Sequence, residues 1–145
     1  MKQAFLVTVV AAALVGCGGG SGATTAPAVE AGRYTLRSVD GASVPASIVS
    51  QSSIRITVLS GEFVLSGGQS NGSVVTRIEV TGSSPVTQTT TFVGTYTLNG
   101  NALSMRTTST TNGMSSQATT FDFTFSASGS IVGRFTDGKT YVYQR

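Results

Sequence analysis

The feature that most constrains the fold is an alternation of apolar and polar residues that recurs from Gly32 to the end of the chain. In residues 121–125, for example, three phenylalanines alternate with Asp122 and Thr124. Successive side chains of a β-strand point to opposite faces, so this period of two predicts strands with one buried face. No stretch carries the apolar stripe of a helix. The sequence therefore predicts an all-β domain.

Turn-forming pairs separate the predicted strands, and many of them contain glycine, which accepts a positive φ. The pairs are Asp40-Gly41, Ser60-Gly61, Asn99-Gly100, Asn112-Gly113 and Asp137-Gly138. The predicted strands are Gly32–Val39, Ser53–Leu59, Glu62–Ser66, Ser73–Thr81, Thr89–Leu98, Ala102–Thr108, Ala118–Ser126, Ser130–Thr136 and Thr140–Gln144. Such closely spaced hairpins form an antiparallel meander, which must hide its edges. We predict an up-and-down barrel of about eight strands, with a two-sheet β-sandwich as the alternative.

The first 30 residues differ from the rest in composition. Residues 1–3 carry one lysine and residues 4–15 are apolar, which is the pattern of a signal peptide and too short for a membrane span. Residues 14–17, Leu-Val-Gly-Cys, resemble the bacterial lipobox. The resemblance implies cleavage between Gly16 and Cys17 and lipidation of Cys17. We therefore expect a signal peptide at 1–16, a lipidated Cys17 with a Gly/Ser/Ala/Thr tether at 17–30, and a barrel domain at 31–145.

Lipidation implies a location in the cell envelope, with the membrane as partner through fatty acyl chains such as palmitate on Cys17. Several acyl chains together anchor a protein stably. Gly18 stands where inner-membrane lipoproteins of Gram-negative bacteria carry an acidic retention signal, so in such a host the resemblance favours the outer membrane over the inner.

Composition excludes several classes of function. Nine Lys and Arg stand against six Asp and Glu, a net charge of +3, and the basic residues are scattered singly, so no nucleic-acid interface is expected. The chain has no histidine, and its one cysteine lies at the lipobox, so no metal site or cofactor is expected. Residues 68–72 match G-x-S-x-G, but without a histidine base or a following helix the match predicts a loop. Glu62, Glu79 and Asp122 are predicted to face solvent, and we expect no enzymatic activity.

Several segments resemble small bacterial lipocalin-like lipoproteins. They are Gly32-Arg33-Tyr34-Thr35-Leu36, Val39-Asp40-Gly41, Val44-Pro45, residues 94–103 (GTYTLNGNAL) and residues 140–145 (TYVYQR). The resemblance implies an eight-stranded meander barrel. It also implies that Gly32 and Gly94 are structural, and that Tyr34 replaces the tryptophan of true lipocalins beneath a cation from Arg145 or Arg134.

The predicted barrel interior is the remaining candidate site. An eight-stranded barrel either fills its centre with side chains or holds one small ligand, and both alternatives stay open. The first makes the domain an envelope interaction or inhibitor module that acts on a protein partner. The second makes it a binder of a small apolar molecule. The candidate ligand-binding residues are Tyr34, Phe63, Phe92, Tyr96, Met105, Phe121, Phe123, Phe125 and Phe135.

Overall fold

The computed structural model of the chain describes residues 31–126 and 128–145, and these residues form β-strands and turns. The strands are β1 (Gly32–Val39), β2 (Ala42–Ser43), β3 (Ala46–Ser50), β4 (Ile54–Ser66), β5 (Gln69–Val80), β6 (Val86–Asn99), β7 (Ala102–Thr111), β8 (Met114–Ser115), β9 (Thr119–Phe125), β10 (Ile131–Arg134) and β11 (Thr140–Gln144). The all-β prediction is confirmed.

Eight of these strands close into an antiparallel barrel in the order β1, β11, β10, β9, β7, β6, β5, β4 and back to β1. The closing pair is β1–β4, in which Tyr34 lies opposite Phe63. Apart from the short strands, each strand pairs with its neighbour in sequence, so the predicted meander barrel is confirmed and the sandwich alternative is wrong. Closure removes the barrel's edges.

Part of the sheet extends beyond the barrel, and we call it the overhang. It comprises β3 and residues 54–60 of β4, 75–80 of β5 and 86–89 of β6. Residues 55–58 of β4 pair with β3 instead of β1, and β7 pairs with β6 only from Thr90 onward. The overhang is therefore a single layer of four strands that projects past one end of the barrel.

The two ends of the barrel carry different elements. The terminal pole holds the start of β1, the end of β11 and the β4–β5, β6–β7 and β9–β10 turns. The opposite end holds the β1–β2 and β10–β11 turns and the overhang, and we call it the cleft pole after the cleft described below. This division follows from the antiparallel register around the barrel.

The interior of the barrel is filled mainly by aromatic and aliphatic side chains from the inward face of each strand. Tyr34, Leu36, Leu65, Leu103 and Ile131 are each at most 1% exposed. The remaining buried apolar residues are Val39, Ala46, Val58, Phe63, Met105, Phe123, Phe125, Tyr141 and Tyr143. The period-two pattern of the sequence thus identified the buried face.

The boundaries of several strands differ from the prediction. β1 and β11 have the predicted limits, whereas Ser60-Gly61 is not a turn: β4 continues through it, with a shift in register between Val58 and Ser60. The hairpin turn lies at Gly67-Gly68, whose φ values are 55° and 78°. As a result β5 begins at Gln69, inside the stretch predicted as a loop. The short strands β2, β3 and β8 were not predicted.

Glycines allow close approach at three inward positions of the wall, Gly72, Gly94 and Gly133. A Cβ on Gly133 would enter the ring of Phe123, and a Cβ on Gly94 would meet the carbonyl oxygen of Arg106 on the neighbouring strand. An aromatic ring over a strand glycine is a known device of curved sheets. The predicted structural role of Gly94 therefore has a physical basis in strand-to-strand contact.

Residues 1–30, including the predicted cleavage site at Gly16 and Cys17, lie outside the described residues. Within 31–126 and 128–145, no helix is long and apolar enough to cross a membrane.

Candidate ligand-binding site

A cleft enters the barrel from the cleft pole. Its empty volume is about 370 Å³ when the part open to solvent is included. The centre of a water molecule fits within only about 20 Å³ of that volume. That free space is enough for about one water. The lining residues are Glu62, Phe63, Ser70, Asn71, Gly72, Val74, Phe92, Met105, Thr107, Phe121, Phe123, Phe135 and Tyr143.

Aromatic rings form much of the cleft wall. The ring centroids of Phe121 and Phe135 are 4.8 Å apart, those of Phe123 and Phe135 are 5.6 Å apart, and those of Phe63 and Tyr143 are 4.6 Å apart. Each separation lies within the range of favourable aromatic pairs. Phe121 and Phe135 are half-buried, as is Phe92 across the cleft, whereas Phe63, Phe123 and Tyr143 are buried. The half-buried rings therefore lie at the mouth and the buried rings at the base.

Two hydroxyl groups interrupt this apolar wall. Ser70 and Thr107 are each 3% exposed, and within the described residues neither Ser70 Oγ nor Thr107 Oγ1 has a hydrogen-bond partner. An unsatisfied buried polar group costs about 1–3 kcal/mol of folding free energy. Both hydroxyls line the cleft, so its interior is apolar with two available hydrogen-bonding groups.

The strand register places these two hydroxyls on either side of a glycine. Ser70 on β5 lies opposite Gly94 on β6, and Gly94 lies opposite Thr107 on β7. Since alternate residues share a face, all three positions point inward. No side chain stands between the hydroxyls, because the intervening residue is glycine.

The cleft interior carries no positively charged side chain among its lining residues. Glu62 lines it, but the Glu62 carboxylate accepts a hydrogen bond from Arg33 at 2.6 Å on the outer face. Burial raises the pKa of the Tyr143 hydroxyl, which keeps it protonated at neutral pH. The site is thus electrically neutral inside.

The structure brings together six of the nine predicted ligand-binding residues. Phe63, Phe92, Met105, Phe121, Phe123 and Phe135 line the cleft. The other three, Tyr34, Tyr96 and Phe125, do not line it. Tyr34 packs between Phe63 and Phe125, with ring centroids at 5.4 and 6.4 Å, and Tyr96 packs partly buried against the core.

Sequence reasoning missed the polar part of the cleft. It placed Ser70 in a loop, and it considered only aromatic and sulfur-containing side chains as ligand contacts. Thr107 stands two residues after Met105 on β7, so the period-two pattern already placed it on the inward face. An inward threonine in an aromatic core was the available signal.

The two candidate cations for Tyr34 lie at opposite poles. Arg134 donates a hydrogen bond from Nε to the carbonyl oxygen of Gly138, 2.8 Å away in the β10–β11 turn. The Arg145 guanidinium lies against Gly32, where a Cβ would be 3.1 Å from Arg145 Nε. Of the two, Arg145 is therefore the one at the pole where β1 begins, near Tyr34.

The three carboxylates considered for catalysis each have a separate partner. Besides the Glu62–Arg33 pair, Glu79 pairs with Arg77 at 3.0 Å, and Asp122 accepts from Ser104 Oγ at 2.7 Å. In the part of the chain that the structure describes, no three His, Cys, Asp or Glu residues are grouped to hold a metal ion.

Comparison of the chain with protein-family models, with curated proteins and with solved structures gave no significant match.

Proposed function

We propose that this chain is a lipid-anchored envelope protein whose lipocalin-like barrel binds a small, mostly apolar molecule in the cleft. The observation that carries the proposal is the composition of the cleft, in which aromatic rings surround two buried hydroxyls without partners. Small-molecule sites are typically concave and apolar with a few convergent polar groups.

Ligand entry requires movement of side chains, because the free space in the cleft holds about one water. Met105 is unbranched and flexible, and it is one of the buried residues that line the cleft. The rings of Phe92 and Phe121 are half-buried and have solvent on one side. We expect these three side chains to reorient around a ligand while the barrel backbone stays in place.

Titration of residues 31–145 with toluene, followed by NMR, tests ligand binding. This segment contains all eight barrel strands and their core, so it is expected to fold alone, which circular dichroism checks first. We expect saturable shifts at Met105 and at the cleft rings. V74F, which fills the mouth, should weaken binding at least about tenfold. V93F carries the same new ring on the outer face, where Val93 is 64% exposed, and should bind like the wild type.

The anchor is tested separately on the full chain in a Gram-negative bacterium. The motif at residues 14–17 supports lipidation of Cys17. Mass spectrometry of the mature protein should find an N-terminal Cys17 with attached acyl chains, and the protein should fractionate with the outer membrane. C17S should lose the acyl mass, whereas S21A should retain it. An unmodified Cys17 in the wild type would refute this part of the proposal.

The small volume of the void favours a second candidate, a filled barrel that acts as an interaction module for an envelope protein. A filled interior leaves only the outer surface and the loops for recognition. This candidate predicts that toluene and larger apolar probes cause no saturable shifts in residues 31–145. Saturable binding of toluene would therefore exclude this second candidate.

A further inference from the structure

The two hydroxyls belong to the buried part of the cleft and lie on either side of Gly94. Cα atoms of directly opposed residues on antiparallel strands are about 4.5–5.5 Å apart, so Ser70 and Thr107 are about 10 Å apart at Cα, with their side chains directed into the same space. A hydroxyl both donates and accepts a hydrogen bond. The buried part of the cleft, its base, therefore offers hydrogen bonds to a polar atom of a ligand.

We infer that Ser70 and Thr107 select ligands that carry an uncharged hydrogen-bonding oxygen, such as an alcohol, aldehyde or ketone, on a small apolar body. The inference rests on the proposed ligand-binding function and names the chemical class of its ligand. The hydroxyls contact the oxygen, and the rings of Phe121, Phe123 and Phe135 contact the apolar body.

The absence of a cation among the lining residues excludes carboxylates from this class. An ionised carboxylate at the base would lose its hydration and gain only two neutral hydrogen bonds, which does not offset the cost of burying a charge. A free fatty acid would thus bind with its carboxylate outside the cleft or not at all.

A plain hydrocarbon also leaves the site incomplete. It would displace any water from the base and leave both hydroxyls unpaired, and sites built to hydrogen-bond a ligand discriminate against analogues without the polar group. A single bound water is the competing occupant, since the void has room for one. The ligand's oxygen takes the place of that water.

Three probes with one ring skeleton test the inference: toluene, benzyl alcohol and benzoate. Their affinities are measured for wild-type residues 31–145, for S70A, for T107V and for the double variant. T107V preserves side-chain shape while removing the hydroxyl. T108V is the matched control, because Thr108 is exposed on the outer face of the same strand.

We expect the preference for benzyl alcohol relative to toluene to fall about tenfold for each hydroxyl removed, and to be unchanged in T108V. Benzoate should bind the wild type at least about tenfold more weakly than benzyl alcohol. Thermal unfolding checks each variant, and S70A alone suffices if T107V does not fold.

The outcomes separate the inference from the proposed function. If toluene binds and the preference is the same in all variants, the hydroxyls hold a structural water only and the inference is wrong. Benzoate binding as tightly as benzyl alcohol would also overturn it. If none of the probes binds the wild type, the proposed ligand-binding function itself fails.

Discussion

The barrel and the overhang are built from the same alternating β-strands, yet they bury their apolar faces to different extents. In the barrel, Leu65 and Ile131 are fully buried. On the inward face of the overhang, Val58 and Ala46 next to the barrel are buried, but Ile54 is half-buried, and Val80 and Val86 are 43% and 53% exposed. The difference arises from closure, because the barrel wall packs against its opposite side and the overhang has no opposite wall. We expect the stability of the domain to be concentrated in the barrel.

The largest effect on stability is expected from replacing an isoleucine by alanine in each of the two regions. I131A should lower the free energy of unfolding by about 2–5 kcal/mol, since it removes buried methyl groups and leaves a cavity. I54A should cost less than about half as much, because Ile54 is already partly hydrated. Urea unfolding followed by circular dichroism measures both. Equal losses would mean that the overhang belongs to the cooperative core.

Two glycine substitutions sharpen the comparison at the level of the backbone. G94A should destabilise the domain by about 1–3 kcal/mol, because its Cβ would collide with the Arg106 carbonyl oxygen on β7. Gly82 lies at the tip of the overhang, where an added Cβ would meet nothing within 4 Å. G82A should therefore lower the free energy of unfolding only by the strain of placing alanine at a φ of +82°, about 1 kcal/mol.

Thermal unfolding in both glycine variants provides the measurement, with T95A as an exposed control on the same strand as Gly94. A smaller loss for G94A than for G82A would show that β6 and β7 separate easily at this point of the wall.

The smallest effect concerns one carboxylate in each region and its dependence on pH. In the barrel, Asp40 accepts hydrogen bonds from Thr140 N at 2.8 Å and Lys139 Nζ at 3.1 Å, joining β1 to β11. The Thr140 backbone N–H, followed by Lys139, lowers the pKa of Asp40. Because the pKa of Asp40 is lower in the folded than in the unfolded protein, its ionised carboxylate stabilises the fold at pH values above the unfolded pKa of about 3.9. This stabilisation is lost as the pH falls through the folded pKa.

D40N should therefore lower the unfolding midpoint at neutral pH, and its difference from wild type should shrink at a pH below the unfolded value of about 3.9. E79Q removes the carboxylate of an exposed pair in the overhang, and such pairs contribute little. Its midpoint should match that of wild type at both pH values. A D40N effect that persists unchanged in acid would assign the loss to packing instead of charge.

The sequence predicted what depends on local pattern and missed what depends on contacts between distant strands. Alternation identified Phe123 and Phe125 as buried, and Asp40-Gly41 as a turn, because side-chain direction and positive φ are local properties. It predicted a turn at Ser60-Gly61, where the strand continues after a register shift between Val58 and Ser60. It also missed β3, which is a strand only because residues 55–58 of β4 extend past β1 and offer a partner.

The same limit applies to the cleft. Most of its rings were predictable as inward aromatics, since five of the predicted rings and Met105 line it. The pairing of Ser70 with Thr107 across Gly94 depends on the registers of two hairpins, and one of these was shifted by the misplaced start of β5. The stagger of the strands in the closed barrel also determines which inward aromatics line the cleft and which pack elsewhere.

Because β1 and β11 are neighbours in the closed barrel, Gly32 and Arg145 lie at the same pole, and the cleft opens at the other. This arrangement gives the domain a direction. If residue 31 marks the side on which the domain is held to a surface, the mouth of the cleft faces away from that surface. A small solute would then exchange directly with the surrounding medium, and the loops around Phe135 and the overhang would be the first parts of the molecule that an approaching partner meets.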